Sequence, residues 1–199
     1  MGFSVKILLV SDDESKYIWD FFQKEKFDDI DLIISCGDLK SEYLSYLATM
    51  VHAPVFYIHG NHDNGYIKKP PEGCDCIEDK LITYKGIRIL GLGGSKKYKE
   101  GPFLYTENQM QKRISKLKFK LFFNKGFDIL VTHAPASGIN DDKDLCHEGF
   151  MCFNKLMDKY SPKYFFHGHV HMTYGRKPRL TTYKNTTIVN AYDHYIIEY

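Results

Sequence analysis

The chain has 199 residues, 43% of them hydrophobic and 15% aromatic, with a formal net charge of +2. That is enough apolar material for one buried core and too much for a disordered chain, and the near-neutral balance excludes a nucleic-acid coat protein while leaving room for a locally charged site. No run approaches the roughly 20 apolar residues that a membrane span needs. The five cysteines are odd in number, and Cys74 and Cys76 form CxC rather than CxxC, so they read as reduced thiols in a cytoplasmic protein.

Short β-rich runs alternate with amphipathic ones. "KILLV" at 6–10 predicts a strand, and "ESKYIWDFFQKEK" at 14–26 a helix with Tyr17, Ile18, Phe21 and Phe22 on one face. Strands are expected again at 31–35 and 55–59, with a helix at 41–50 between them. "LITYKGIRILGLGG" at 81–94 reads as a hairpin turning at Lys85-Gly86, and "ENQMQKRISKLKFKL" at 107–121 as a helix. Strands at 127–132 and 163–168 flank a helix at 150–160, and the tail from 179 holds two or three antiparallel strands. Continuous apolar runs of this length suit strands buried on both faces. The expected fold is α/β, a single domain over 1–199 with two mixed sheets face to face and helices outside. Segments 64–80 and 95–106 read as surface loops, and the helical phenylalanines and tyrosines as core.

The chemistry-bearing residues fall where these strands end. Asp12 and Glu14 follow the first, Gly37-Asp38 the second and Gly60-Asn61-His62-Asp63 the third. His133 follows the strand at 127–132, and Gly168-His169-Val170-His171 follows the one at 163–168. Open α/β sheets bind ligands beyond the carboxyl ends of their strands, so these residues converge on one crevice. Carboxylate, amide oxygen and imidazole together suit a hard or borderline divalent metal, and there are more donors than one ion takes from protein. Two ions sharing a bridging carboxylate is the economical solution, and such a pair can clamp a phosphate for in-line displacement.

With these motifs in view, the sequence resembles the calcineurin-like metallophosphoesterases. That family carries D-x-H, G-D, G-N-H-D/E, H and G-H-x-H in this order, matched here from residue 12 to residue 171. The resemblance implies a four-layer β-sandwich flanked by helices, with a dinuclear site at one edge. It implies that Asp38 bridges two metals, that Asp12, Glu14 and His171 complete one shell, and that Asn61, His133 and His169 complete the other. His62 would assist the leaving group, with Asp63 holding its ring, and the nucleophile would be a metal-bound hydroxide. The reaction implied is hydrolysis of a phosphodiester or phosphomonoester; the alternative is a non-catalytic binding or scaffold module on the same fold.

Glu14 departs from the pattern, standing where the family usually has His. Either it ligates through oxygen, or Ser11-x-x-Glu14 is a capping box and one shell is short of a ligand. Ligation is the preferred reading, and it places manganese or iron ahead of zinc or magnesium. His147 is a candidate substrate contact or a solvated loop histidine. His167 is a weaker ligand candidate, and His59 and His194 are assigned to structure or solvent. The glycine-rich run 91–101 lacks both GxGxxG and the P-loop Lys-Ser/Thr, and reads as a solvated basic turn; the other reading offers Lys96, Lys97 and Tyr98 to an anionic substrate. The expected partner is a small phosphoester, with no membrane partner and nucleic acid disfavoured.

Overall fold

The computed structural model describes residues 4–172 and 178–199. The first half of the chain runs β1 (Lys6–Ser11), α1 (Lys16–Trp19), β2 (Leu32–Ser35), α2 (Ser41–Met50), β3 (Val55–Tyr57), β4 (Cys74–Cys76), β5 (Lys80–Tyr84) and β6 (Ile87–Leu92). It continues through β7 (Ser95–Lys96), β8 (Leu104–Tyr105), α3 (Glu107–Lys116), α4 (Lys118–Phe123), β9 (Ile129–Thr132), α5 (Met151–Tyr160) and β10 (Tyr164–His167). The last strands are β11 (Leu180–Tyr183), β12 (Thr186–Asn190) and β13 (Asp193–Glu198).

Two mixed sheets result, ordered β13-β1-β2-β3-β4 and β11-β12-β10-β9-β6-β5, beside a small β7-β8 ladder. Alternation along each strand divides its side chains between two layers. Ile7 and Leu9 of β1 and Ile34 of β2 face Ile89, Val131, Phe166 and Val189 of the other sheet, forming the core between the sheets. Leu8, Val10 and Ile33 point outward onto Tyr43, Leu44 and Leu47 of α2. Leu90, Leu130 and Phe165 point outward onto Met110 and Ile114 of α3, Leu121 of α4, and Phe153 and Leu156 of α5. The order of layers is helix, sheet, sheet, helix.

Local chemistry explains the joints. Lys85 (φ 46°) and Gly86 (φ 82°) both adopt positive φ, the type I′ geometry of a two-residue hairpin, and set Tyr84 opposite Ile87. Thr106 caps α3 reciprocally with Gln109.

Several expectations are corrected. The helix over 14–26 shrinks to α1 and a 3-10 turn at Lys24–Lys26. Phe27 is 2% exposed, with Phe22 stacked on it at 5.3 Å, and seating that pair in the core takes the chain out of the helix, leaving Phe21 69% exposed. The helix over 107–121 breaks at Leu117 into α3 and α4. The loop at 64–80 contributes β4, a half-buried edge strand parallel to β3 and too polar to read as a strand. The tail is not wholly antiparallel: β12 runs parallel to β10, and β13 crosses to the other sheet to pair with β1.

Candidate metal centre

β1, β2 and β3 are mutually parallel in one sheet, and β6, β9 and β10 in the other. Their carboxyl ends meet at one edge, where the turns interlock. The Asp12 N–H donates to the Gly37 carbonyl (3.2 Å) and the Gly168 N–H to the His133 carbonyl (3.0 Å). Both oxygens of Asp12 accept from the His169 N–H, at 3.0 and 2.8 Å, stitching the first sheet to the second. The packing leaves no space for a side chain at Gly60 or Gly168. A Cβ on Gly60 would lie 2.1 Å from Asp38 Oδ1, and one on Gly168 would lie 2.0 Å from Ser11 Oγ. Asp12, Asp38 and His169 all hold left-handed backbone (φ 65°, 57° and 68°), a conformation that costs a non-glycine residue about 1–2 kcal/mol and concentrates at functional sites.

Asp38, His133 and His169 bring one donor atom each within 4.8 Å of one another. His133 is fully buried, and its Nδ1 donates to the Cys36 carbonyl at 2.8 Å. Its Nε2 faces two oxygens, Asn61 Oδ1 at 3.0 Å and Asp38 Oδ2 at 3.2 Å. Burial disfavours a charge on this ring, but Asp38 outweighs it and lifts His133 to about 9. Burial likewise works against the Asp38 carboxylate, yet His133 and the His62 N–H hold it at about 2. Carboxylate, amide oxygen and imidazole nitrogen thus meet at one point. A divalent cation suits the same donors, while the Nδ1–Cys36 bond fixes the orientation and tautomer of the ring, as such bonds do for metal-bound histidines. Burial, then His133, pushes His169 down to about 3 and keeps it neutral, the form that ligates. Its Nε2 donates to the Cys146 carbonyl at 2.5 Å, which leaves the lone pair on Nδ1. The donor set therefore fits a metal. Burial raises the Asp12 carboxyl above its ordinary value.

A cleft of about 450 Å³ opens over this group, lined by Asp12, Asp38, Asn61, His62, Tyr98, Cys146, His147, His169 and His171. The His62 ring is 67% exposed with Nε2 4.0 Å from Asp38 Oδ2, and it borders two adjoining clefts as well. His171 lines the cleft with its ring 5.0 Å from that of Tyr192. His147 stands 5.1 Å from His169, ring to ring, so it reaches the crevice.

Two residues sit differently from the sequence reading. Glu14 accepts from the Lys40 N–H (3.1 Å) and pairs with Lys40 Nζ (2.7 Å), bracing the start of α2 outside the three-donor group. It makes no capping box either, because α1 begins at Lys16 behind Ser15 and the Ser11 hydroxyl donates to the Gly37 carbonyl. Asp63 is 3% exposed and makes no hydrogen bond to the His62 ring; its Oδ2 accepts from the N–H groups of Asp38 (2.8 Å) and Gly60 (2.7 Å). It clamps two turns rather than one side chain.

Other histidines fall as structure. His59 pairs with Glu78 and stacks on Phe103 at 4.2 Å, while His194 meets Ser15 Oγ at 2.9 Å. His167 is buried, with its ring nitrogens facing Asn140 and the Gly168 carbonyl. The run 91–101 is not a solvated turn: residues 91–95 are buried at the end of β6 and the start of β7, Lys96 and Lys97 are engaged by Glu107, Glu148 and Glu100, and Tyr98 reaches the cleft. Cys146 was missed. It joins Asp144 and His147 in a second cluster of donor atoms at the rim, and its only sequence signal was its place beside His147.

A sandwich of two mixed sheets with carboxylates and imidazoles gathered at its strand ends has the architecture of a metal-site protein. The chain belongs to the calcineurin-like phosphoesterase family, whose model matches residues 6–173. It is 27% identical to an uncharacterized protein of Haemophilus influenzae, with 96% of each chain covered. It is 24% identical to the UPF0046 protein C25E10.12 of Caenorhabditis elegans, over 79% of this chain and 63% of that one. A solved structure of 16% identity superposes with a TM-score of 0.69 over 98% of this chain and 95% of its own, a likeness of fold. The family binds divalent metals, and no helix among the described residues is long and apolar enough to cross a membrane.

Proposed function

We propose that the protein is a dinuclear-metal phosphoesterase with a phosphodiester as its preferred substrate. The observation that carries this reading is the convergence of Asp38, Asn61 and His133 on one point, with the His169 donor within 4.8 Å of those of Asp38 and His133. Two divalent ions, when bound, supply Lewis acidity and an activated water. Asp12, Asp38, Asn61, His133, His169 and His171 would hold them, and a mixture of oxygen and imidazole donors favours manganese or iron. The chain's own residues do the rest. Asp38 orients the GNHD turn by accepting from the His62 N–H, and the exposed His62 ring is free to protonate a leaving oxygen. His147 and Tyr98 supply donors along the cleft wall. Clefts continue from His62 towards Lys40 and Lys69 on one side and towards Asp142 and Val170 on the other. Room on both sides of His62 supports a diester over a monoester.

One observation favours the scaffold reading: Glu14 is occupied by Lys40, so one metal would have fewer ligands than the motif promises. Turnover decides between the two. With added Mn²⁺ the protein should hydrolyse bis-p-nitrophenyl phosphate faster than p-nitrophenyl phosphate. Asp38→Asn should lower that rate by about 10³-fold, the order of a few kcal/mol of lost charge stabilisation. Metal-loaded wild type with no turnover on a broad phosphoester panel would turn the reading towards a scaffold.

A further inference from the structure

The sequence places Phe119 on a helix whose aromatics are destined for the core, but the structure turns it outward together with Phe122 and Phe123. The break at Leu117 lets α4 bury Leu121 while the three phenylalanines stand 73%, 72% and 78% exposed. Phe122 and Phe123 pack edge to face at 5.6 Å, and with Lys118, Lys159 and Tyr160 they border one almost wholly apolar surface. The charge along this segment has one sign. Between Glu107 and Asp128 the sequence has no acidic residue, and it has Lys112, Lys116, Lys118, Lys120 and Lys125. All five lysines are exposed, and none has an ion-pair partner among the described residues.

We propose that α4 docks the protein onto an anionic phospholipid surface, with the phenylalanines entering the interface and the lysines meeting the headgroups. Aromatic side chains flanked by unpaired lysines are the composition of interfacial anchors. The phenylalanines project instead of lining a groove, and a bilayer, unlike a protein partner, needs no preformed pocket to receive them. A second copy seated on this face would set lysine against lysine. The expectation of no membrane partner rested on the lack of a spanning segment, and surface docking needs none. α4 ends at Asn124, whose carbonyl accepts from Arg88 beside the first residues of β6 and β9, while the metal-ligand residues lie beyond the carboxyl ends of those strands. Docking therefore leaves the cleft facing water.

The test is co-sedimentation with phosphatidylcholine vesicles, with and without phosphatidylserine, at low and high salt. Wild type should sediment with the phosphatidylserine vesicles only, and less in high salt. Each of Phe119→Ala, Phe122→Ala and Phe123→Ala should weaken binding by about tenfold, and each Lys→Gln at 116, 118 or 120 by about fivefold. Thermal midpoint and phosphoester turnover should stay unchanged in all of these variants. No binding to anionic vesicles overturns the proposal, as do equal binding to neutral vesicles and undiminished binding by the phenylalanine variants. Self-association of wild type that these variants abolish would assign the face to a second copy and overturn it too. The readout needs no turnover, so it stands or falls apart from the phosphoesterase reading.

Discussion

Asp63 offers the sharpest test of how this site is built. Its Oδ2 is the shared acceptor for the N–H groups of Asp38 and Gly60. Replacing it with Ala strands two buried donors at about 1–3 kcal/mol each, or about 2–6 kcal/mol together. Asn keeps an oxygen for both donors and removes only the charge. Burial, then the neighbouring Asp38, raises the Asp63 carboxyl from 3.8 to about 6. A carboxyl raised in the fold favours folding while protonated, and that benefit is lost as pH climbs from about 4 through about 6. Above that window the ionised form costs on the order of 3 kcal/mol, the free energy of a two-unit shift. Both variants escape this cost, so the difference between Ala and Asn isolates the clamp. Thermal unfolding in chelator at pH 8 should place Asp63→Ala about 10 °C below Asp63→Asn. Asp63→Asn should equal or exceed wild type there, with the gap closing towards pH 4. Equal midpoints for Ala and Asn would refute the clamp. Turnover separates the roles further: a clamp survives the change to Asn, whereas a carboxylate holding the His62 ring would not.

Two further outcomes follow from the same coordinates. Glu14→Gln should leave manganese stoichiometry unchanged by metal analysis and cost no more than about 1 kcal/mol, the usual scale of a surface ion pair; loss of one equivalent of metal would restore Glu14 to the shell. Glu78 is buried, which alone would raise it, but His59 and then Arg113 (2.7 Å) hold its carboxyl below the ordinary value. A depressed carboxyl stabilises the fold above about pH 4.5, and that contribution fades as pH falls through the lower folded value. Glu78→Gln should therefore be destabilised by about 2–4 kcal/mol at pH 7 in urea unfolding, with the gap to wild type narrowing in acid; a gap independent of pH would show that the charge is not what stabilises.

The layers of the sandwich and the edge that bears the site were legible because they rest on short-range rules. Ile7, Leu8, Leu9 and Val10 could be read as a strand buried on both faces, and Asp12, Asp38, Asn61, His133 and His169 as strand-end residues of one crevice. The rest depends on contacts that no periodicity encodes. β4 is a strand because β3 offers it a parallel edge, not because Cys74-Asp75-Cys76 has a strand's composition. Glu14 has the charge of a ligand, but Lys40 claims it across a turn. Asp63 was read through its neighbour in sequence, His62, whereas its partners are backbone groups of two other turns. Phe119 was read as core because it sits on an amphipathic run, and only the break at Leu117 reveals that it faces outward beside Phe122 and Phe123.

β13 covers the outer edge of β1, with Tyr199 donating to Val5 at 2.9 Å and Ser11 opposite Asp193. This pairing makes β1 an interior strand of its sheet. β1 is almost wholly buried and apolar, so whatever frees β13 uncovers an edge of the kind that recruits other chains. Release of that one strand, with the rest of the sandwich intact, would therefore be enough to begin misassembly.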